Sequence, residues 1–246
     1  MDLGLSGRTA IVCGASSGMG LAVAESLREE GANVVMFARR KELCEQEAER
    51  IGGLAVAGDV TSRDDLEGLV RTTIDTYGGI DVLVNNSGGP HRSLASELTT
   101  QQVEEAVQLL LLSVVHLTGL CLPHLERSGR GRIVNITSST VREPIENLAL
   151  SNVVRPAVIG WAKTLAREIG DKGITVNSIA PGSIDTERIR ELHPEGPSQE
   201  DLDEIPLRRL GTPREIGDVV AFLCSERASY VSGTVIWVDG AASRSL

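Results

Sequence analysis

Two periods alternate along the chain. Short apolar runs of small and β-branched residues recur at Thr9 to Cys13, in the stretch Gly31 to Lys41, and at Leu54 to Ala57, Ile80 to Val84, Arg132 to Thr137, Thr175 to Ile179 and Thr234 to Val238. Each is bounded by turn residues and reads as a strand. Between them lie segments with helical spacing: Leu21 to Glu30, Glu42 to Ile51, Arg63 to Tyr77, Thr99 to Arg127, a helix carrying Ala157 to Ile169, and Pro213 to Ser225. Thr61 or Ser62 is the expected cap of the third. Strands separated by helices predict an α/β fold, a doubly wound parallel sheet of about seven strands with helices on both faces and right-handed crossovers. The segment Thr99 to Arg127 is apolar on more than one face, so it must be buried on two sides, within one subunit or between two.

Several stretches break the pattern. Glu187 to Ile205 is charged and carries Pro194, Gly196 and Pro197, which suits a lid over a site better than a core element. No linker, repeat or low-complexity tract divides the 246 residues, so one domain is expected. The longest apolar run, Ala106 to Leu122, is interrupted by Gln108, Ser113, His116 and Thr118 and reads as too short and too polar to cross a membrane. The formal charge of −10 and an aromatic content of 2% argue against a nucleic-acid partner. Cys13, Cys44, Cys121 and Cys224 are far apart, with no metal-ligand spacing, and read as reduced core thiols. The amino terminus has no signal-peptide pattern, and a cytoplasmic protein is expected.

The chemistry starts where the first strand ends. In Cys13-Gly-Ala-Ser-Ser-Gly-Met-Gly20, the glycines Gly14, Gly18 and Gly20 are placed in a connecting turn before a helix. Glycine there lets a pyrophosphate approach the main chain, and the N–H groups of the helix start favour negative charge. At the end of the second strand an acidic residue would bind the 2′-hydroxyl of NAD; here Ala38 stands near that position and Arg39, Arg40 and Lys41 follow. A guanidinium suits a 2′-phosphate, which favours NADP(H), although Arg40 and Lys41 also read as the solvated start of a helix. Asp59 either accepts from an adenine amino group or belongs to the turn before the third helix. Asn85-Asn-Ser-Gly-Gly89 lies at the rim where open α/β sheets bind ligands.

Together these residues resemble the short-chain dehydrogenase/reductase family over nearly the whole chain. The first turn is similar to TGxxxGxG, with Cys13 in place of threonine; Asn85-Asn-Ser-Gly88 is similar to NNAG, and Ala180-Pro-Gly182 with Thr186 to the PG motif and its threonine. Ile205-Pro-Leu-Arg-Arg-Leu-Gly-Thr-Pro-Arg-Glu-Ile216 and Val238-Asp-Gly240 resemble 3-oxoacyl-carrier-protein reductases. The resemblance implies a Rossmann-like fold, NAD(P)(H) binding and a homo-oligomer, tetramer or dimer, formed through the long helices and the last strand. It carries cofactor contacts onto Gly14, Ser16, Ser17, Gly18, Met19 and Gly20, onto Arg39, Arg40, Asp59 and Val60, onto Asn86, Ser87 and Gly88, and onto Arg155, Pro181, Gly182, Ile184 and Thr186.

The catalytic set departs from the family. Its serine falls on Ser138, but its tyrosine falls on Ser151, its lysine on Arg155 and its upstream asparagine on Leu110. The chain's two tyrosines, Tyr77 and Tyr230, occupy other segments. Serine is a far weaker acid than tyrosine, and Arg155 stays protonated and cannot relay a proton. Pro156 inside a helix removes a hydrogen bond and threatens to turn Arg155 away. His91, Arg142 and Glu143 are the substitute acids in reach. The expectation is an NADP(H)-dependent reductase of a small carbonyl compound with Ser138, Ser151 and Arg155 as its catalytic group. A silent NADP(H)-binding sensor or supporting subunit, and a non-redox enzyme, stand as alternatives.

Overall fold

A computed structural model describes residues 2–192 and 195–245, apart from the side chains of 188, 191 and 192. Seven parallel strands form one sheet: β1 (Thr9–Cys13), β2 (Asn33–Ala38), β3 (Leu54–Ala57), β4 (Val82–Asn85), β5 (Arg132–Ile136), β6 (Thr175–Pro181) and β7 (Val235–Val238), in the order β3-β2-β1-β4-β5-β6-β7. The order reverses between β1 and β4, and at such a switch point the carboxyl ends of neighbouring strands leave a crevice. Register is set by burial on both faces. Along β1, Ala10 and Val12 face one core while Ile11 and Cys13 face the other.

The helices α1 (Gly18–Glu29), α2 (Lys41–Ile51) and α9 (Pro213–Cys224) cover the first face through Val23, Leu27, Cys44, Val220 and Leu223. The second face is covered by α3 (Arg63–Tyr77), α5 (Ser113–Ser128) and α6 (Ala149–Glu168), through Leu66, Leu69, Leu117, Cys121 and Ala162. Each valine or leucine among them, buried from water, stabilises the fold by roughly 1.5–3 kcal/mol. All four cysteines are buried thiols, and burial pushes Cys13 and Cys224 up to about 12. At the amino ends of the strands, buried Arg8 and Arg132 donate to the carbonyls of Cys224 and Ser225 at 3.0 and 3.2 Å, closing the carboxyl end of α9.

The structure refines the sequence pattern in several places. Gly18 and Gly20 belong to the first turn of α1, so of the three glycines only Gly14 lies in the connecting turn. Of the two expected caps, Ser62 is the one that closes α3, accepting from the Asp65 amide. The long apolar segment is α4 (Thr100–Val107), a π turn at Gln108–Leu112, and α5. By length and composition alone this run, Thr100–Ser128, is long and apolar enough to cross a bilayer, which corrects the estimate from Ala106 to Leu122; here Leu117, Cys121 and Leu125 pack against the sheet, and Ala106 and Leu110 against Leu150 and Val154 of α6. α6 starts at Ala149, ahead of Ala157, and passes through Pro156. In the expected lid, α7 (Glu187–Leu192) and α8 (Gln199–Asp203) are helical and Ile205 is buried; residues 193 and 194 lie outside the described residues.

Candidate active site

A cleft of about 590 Å³ opens at the carboxyl ends of β1, β2, β4, β5 and β6, within the range of small-molecule sites. One end is made by backbone. Gly14 has φ of 61°, and a side-chain carbon on Gly20 would stand 2.2 Å from the carbonyl oxygen of Gly14. Only glycine lets the turn and helix approach this closely. Asn86 donates its Nδ2 to the Cys13 carbonyl at 3.1 Å, tying the turn after β4 to the turn after β1. Ser17 precedes α1 without capping it, and no acidic residue stands in the first turn of that helix. The amino terminus of α1 therefore keeps its positive end for an outside anion.

Charge is concentrated at the end of β2. Arg39 lies 3.8 Å from one carboxylate oxygen of Asp59, whose other oxygen accepts from the amide and hydroxyl of Thr61 at 2.8 and 2.7 Å. Burial works to raise the Asp59 carboxyl, but the Thr61 hydrogen bonds and the Arg39 charge outweigh it and hold the group below its ordinary value. Arg40 reaches across the mouth of the cleft, 3.0 Å from Glu187, and donates to Ser17 Oγ at 2.5 Å. Its neighbour Lys41 turns to Glu45 instead. Of the sequence-derived cofactor set, Gly14, Ser16, Ser17, Gly18, Met19, Gly20, Arg39, Arg40, Val60, Asn86, Ser87, Gly88, Arg155, Pro181, Gly182 and Thr186 line this one cleft. Asp59 stands behind Arg39, and Ile184 is buried in the core and bridges to Gly211.

The other end is made by side chains. Ser138 ends the crossing from β5, with its Oγ accepting the Thr140 amide at 3.2 Å. That bond occupies a lone pair and leaves the hydroxyl proton for a ligand. Ser151, 4% exposed, shares a hydrogen bond of 2.9 Å with the Thr140 hydroxyl. Arg155, 9% exposed, donates to the Ile136 carbonyl at 3.3 Å. The proline in α6 does not turn it out of the site. Arg155 also borders a small cavity of about 20 Å³ with Leu110, Ser113 and Asn135, under the π turn. Such turns occur often at functional sites.

Thr140, Leu109, Pro90 and Leu148 were not found by sequence reasoning. Leu148 is held by a bridge to Ser93, and Asn152 clasps the backbone of Ile145 on both sides at 3.1 and 2.9 Å, so the loop before α6 is fixed over the cleft. The substitute acids stand elsewhere. His91 is exposed, Arg142 lies over the Trp237 ring at 5.9 Å, and Glu143 accepts from the Arg244 amide at 2.9 Å; none of the three lines the cleft. Tyr77 packs on the second core and Tyr230 is exposed, so no phenol faces the reacting end among the described residues.

A family model described as Enoyl-(Acyl carrier protein) reductase matches residues 14–242. The 3-oxoacyl-[acyl-carrier-protein] reductase FabG of Vibrio cholerae is 34% identical over 242 residues, 97% of this chain and 98% of that protein. Dehydrogenase/reductase SDR family member 4 of Oryctolagus cuniculus is 34% identical over 248 residues, covering 98% and 95%. Among solved structures, L-sorbose reductase from Gluconobacter frateurii, complexed with NADPH and L-sorbose, superposes with a TM-score of 0.93 at 33% identity over 100% of both chains. A match of this length, on a parallel sheet with its cleft at the switch point, has one reading: the chain belongs to the short-chain dehydrogenase/reductase family.

Proposed function

We propose that the protein is an NADP(H)-dependent reductase of a small carbonyl compound whose catalytic set works without the family's tyrosine and lysine. The observation that carries this reading is continuity: the phosphate cradle at Gly14 and Gly20 and the group Ser138, Ser151 and Arg155 border the same cleft. The cradle fits a dinucleotide because Gly20 lets the helix close up on the Gly14 turn while the amino terminus of α1 is left without a side-chain cap, and Arg39 and Arg40 suit a 2′-phosphate. The structural relative that holds NADPH with a ketose supports the same assignment. The buried thiols accord with a cytoplasmic protein, and the partly exposed edge strand β7 with a homo-oligomer.

When bound, the nicotinamide supplies a hydride for an electrophilic carbon. The chain's own residues then face the negative charge that gathers on the substrate oxygen. Ser138 donates its hydroxyl proton as a hydrogen bond, Arg155 supplies a fixed positive charge from a site where water screens little, and Ser151 adds a second hydroxyl held by Thr140. None of these groups is acidic enough to give up a proton at neutral pH, so the final proton comes from water. Losing a positioned acid costs about 10²- to 10⁴-fold in rate, roughly 3–5 kcal/mol. Positioning two reactants contributes as much as about 7–11 kcal/mol. The larger effect survives here.

A second reading rests on a specific contact: Ser151 and Arg155 direct hydrogen bonds to Thr140 and Ile136, which also suits a protein that binds NADP(H) without turnover. The two readings separate in one assay. NADPH consumption with a panel of ketones, aldehydes and 3-oxoacyl thioesters, followed by its near-ultraviolet absorbance, is expected to exceed the rate without substrate and to fall in Ser138→Ala. Saturable NADPH binding with no consumption on any substrate selects the silent binder.

A further inference from the structure

Two arginines at the end of β2 face the cleft, and each is already matched by a carboxylate. The two pairs are unlike. Asp59 is fixed by its Thr61 hydrogen bonds and stands 3.8 Å from Arg39. Glu187 opens α7, 147 residues along the chain from Arg40, and holds the Arg40 Nη1 at 3.0 Å while the Nη2 donates to Ser17. Thr186, next to it, lies 3.4 Å from where a side-chain carbon on Gly18 would stand, so the start of the 187–205 segment is seated on the glycine-rich turn. Asp185, one residue further back, is engaged by Arg190 of the same segment at 2.9 Å. Glu187 is thus the acid that faces Arg40 across the mouth.

From these contacts, and resting on the NADP(H) reading above, we infer that Glu187 sets how strongly the cleft prefers the 2′-phosphorylated dinucleotide. A phosphate reaching Arg40 either competes with the Glu187 carboxylate for the Nη1 N–H or uses another N–H of the guanidinium, and in both cases lies beside that negative charge while bound. The carboxylate thereby offsets part of what the phosphate gains. A 2′-hydroxyl carries no charge and makes no such exchange, so Glu187 lowers affinity for NADPH and leaves NADH alone. Both partners are about half exposed, 48% for Arg40 and 57% for Glu187, which keeps the effect modest through solvent screening.

The test is a double-mutant cycle on nucleotide affinity. Dissociation constants for NADPH and NADH are measured by titration calorimetry for the wild type, Glu187→Gln, Arg40→Ala and the double variant, with Glu187→Ala as a second probe of the same position. Glu187→Gln and Glu187→Ala are expected to tighten NADPH about two- to fivefold, to leave NADH unchanged, and to lose that effect when Arg40 is alanine. An unchanged or weakened NADPH affinity, an equal shift for both nucleotides, or an effect that persists without Arg40 overturns the inference while the reductase reading stands. Wild-type protein that binds neither nucleotide removes the reductase reading and this inference with it.

Discussion

In the proposed assignment, the requirements at the nucleotide end of the cleft are met by the main chain, at Gly14, Gly18 and Gly20 and at the start of α1, whereas at the reacting end they fall on the side chains of Ser138, Ser151 and Arg155. The contrast teaches which part of the site tolerates change. A cradle whose glycine has a backbone oxygen 2.2 Å from its missing side chain accepts no other residue. In the proposed assignment the serine in the family's tyrosine position sits beside Thr140 on a continuous α6 behind a hydrogen-bonded loop, so the departure falls on the chemistry and not on the scaffold. The first end is locked by packing and the second is open to substitution.

The comparison breaks most visibly at the cradle. Gly20→Val forces a side chain onto the Gly14 carbonyl and is expected to cost about 1–3 kcal/mol of stability by overpacking. NADPH is expected to raise the melting temperature of the wild type by binding the folded state, and to lose that effect in this variant. At the reacting end, Ser138→Ala is expected to cut reduction about 10²-fold, the usual loss for one donor to a developing oxyanion. Its NADPH affinity should match that of the wild type, which calorimetry would show. Smaller in size and opposite in sign, Ser151→Tyr with Arg155→Lys restores an acid and its neighbour, and a gain of about tenfold in turnover is expected from general acid catalysis. No gain would mean that Thr140, Leu148 and the π turn have reshaped the space the phenol needs. Least of all, Thr140→Val removes the partner of Ser151 at constant shape and should lower stability by about 1 kcal/mol in a denaturant titration.

Much of the scaffold is visible in the sequence because burial on both faces writes the central strands as short apolar runs, and even the partly exposed edge strand keeps the pattern; Thr9–Cys13 and Leu54–Ala57 have the bounds it gives. The start of α6 is hidden because Val153, Val154 and Pro156 carry weak helix signals, yet proline costs that helix one hydrogen bond while Leu150, Val154 and Val158 are buried. The π turn at Gln108–Leu112 leaves no mark in a segment that is apolar on several faces. Candidate residues that sit in motifs, such as Asn86, Arg39 and Ser138, are found by position. Thr140 beside Ser151 and Glu187 beside Arg40 are set by long-range folding, 11 and 147 residues apart, and no local pattern announces them.

The central claim is hydride transfer at a site with no tyrosine, and label transfer tests it most directly. NADPH deuterated at either face of nicotinamide C4 is incubated with the carbonyl panel in separate runs, and products are read by mass spectrometry, where slow turnover still registers. Deuterium bound to the former carbonyl carbon of a product, from one face only and absent in Ser138→Ala, is the predicted result. Saturated NADPH binding with no label in any product would contradict it.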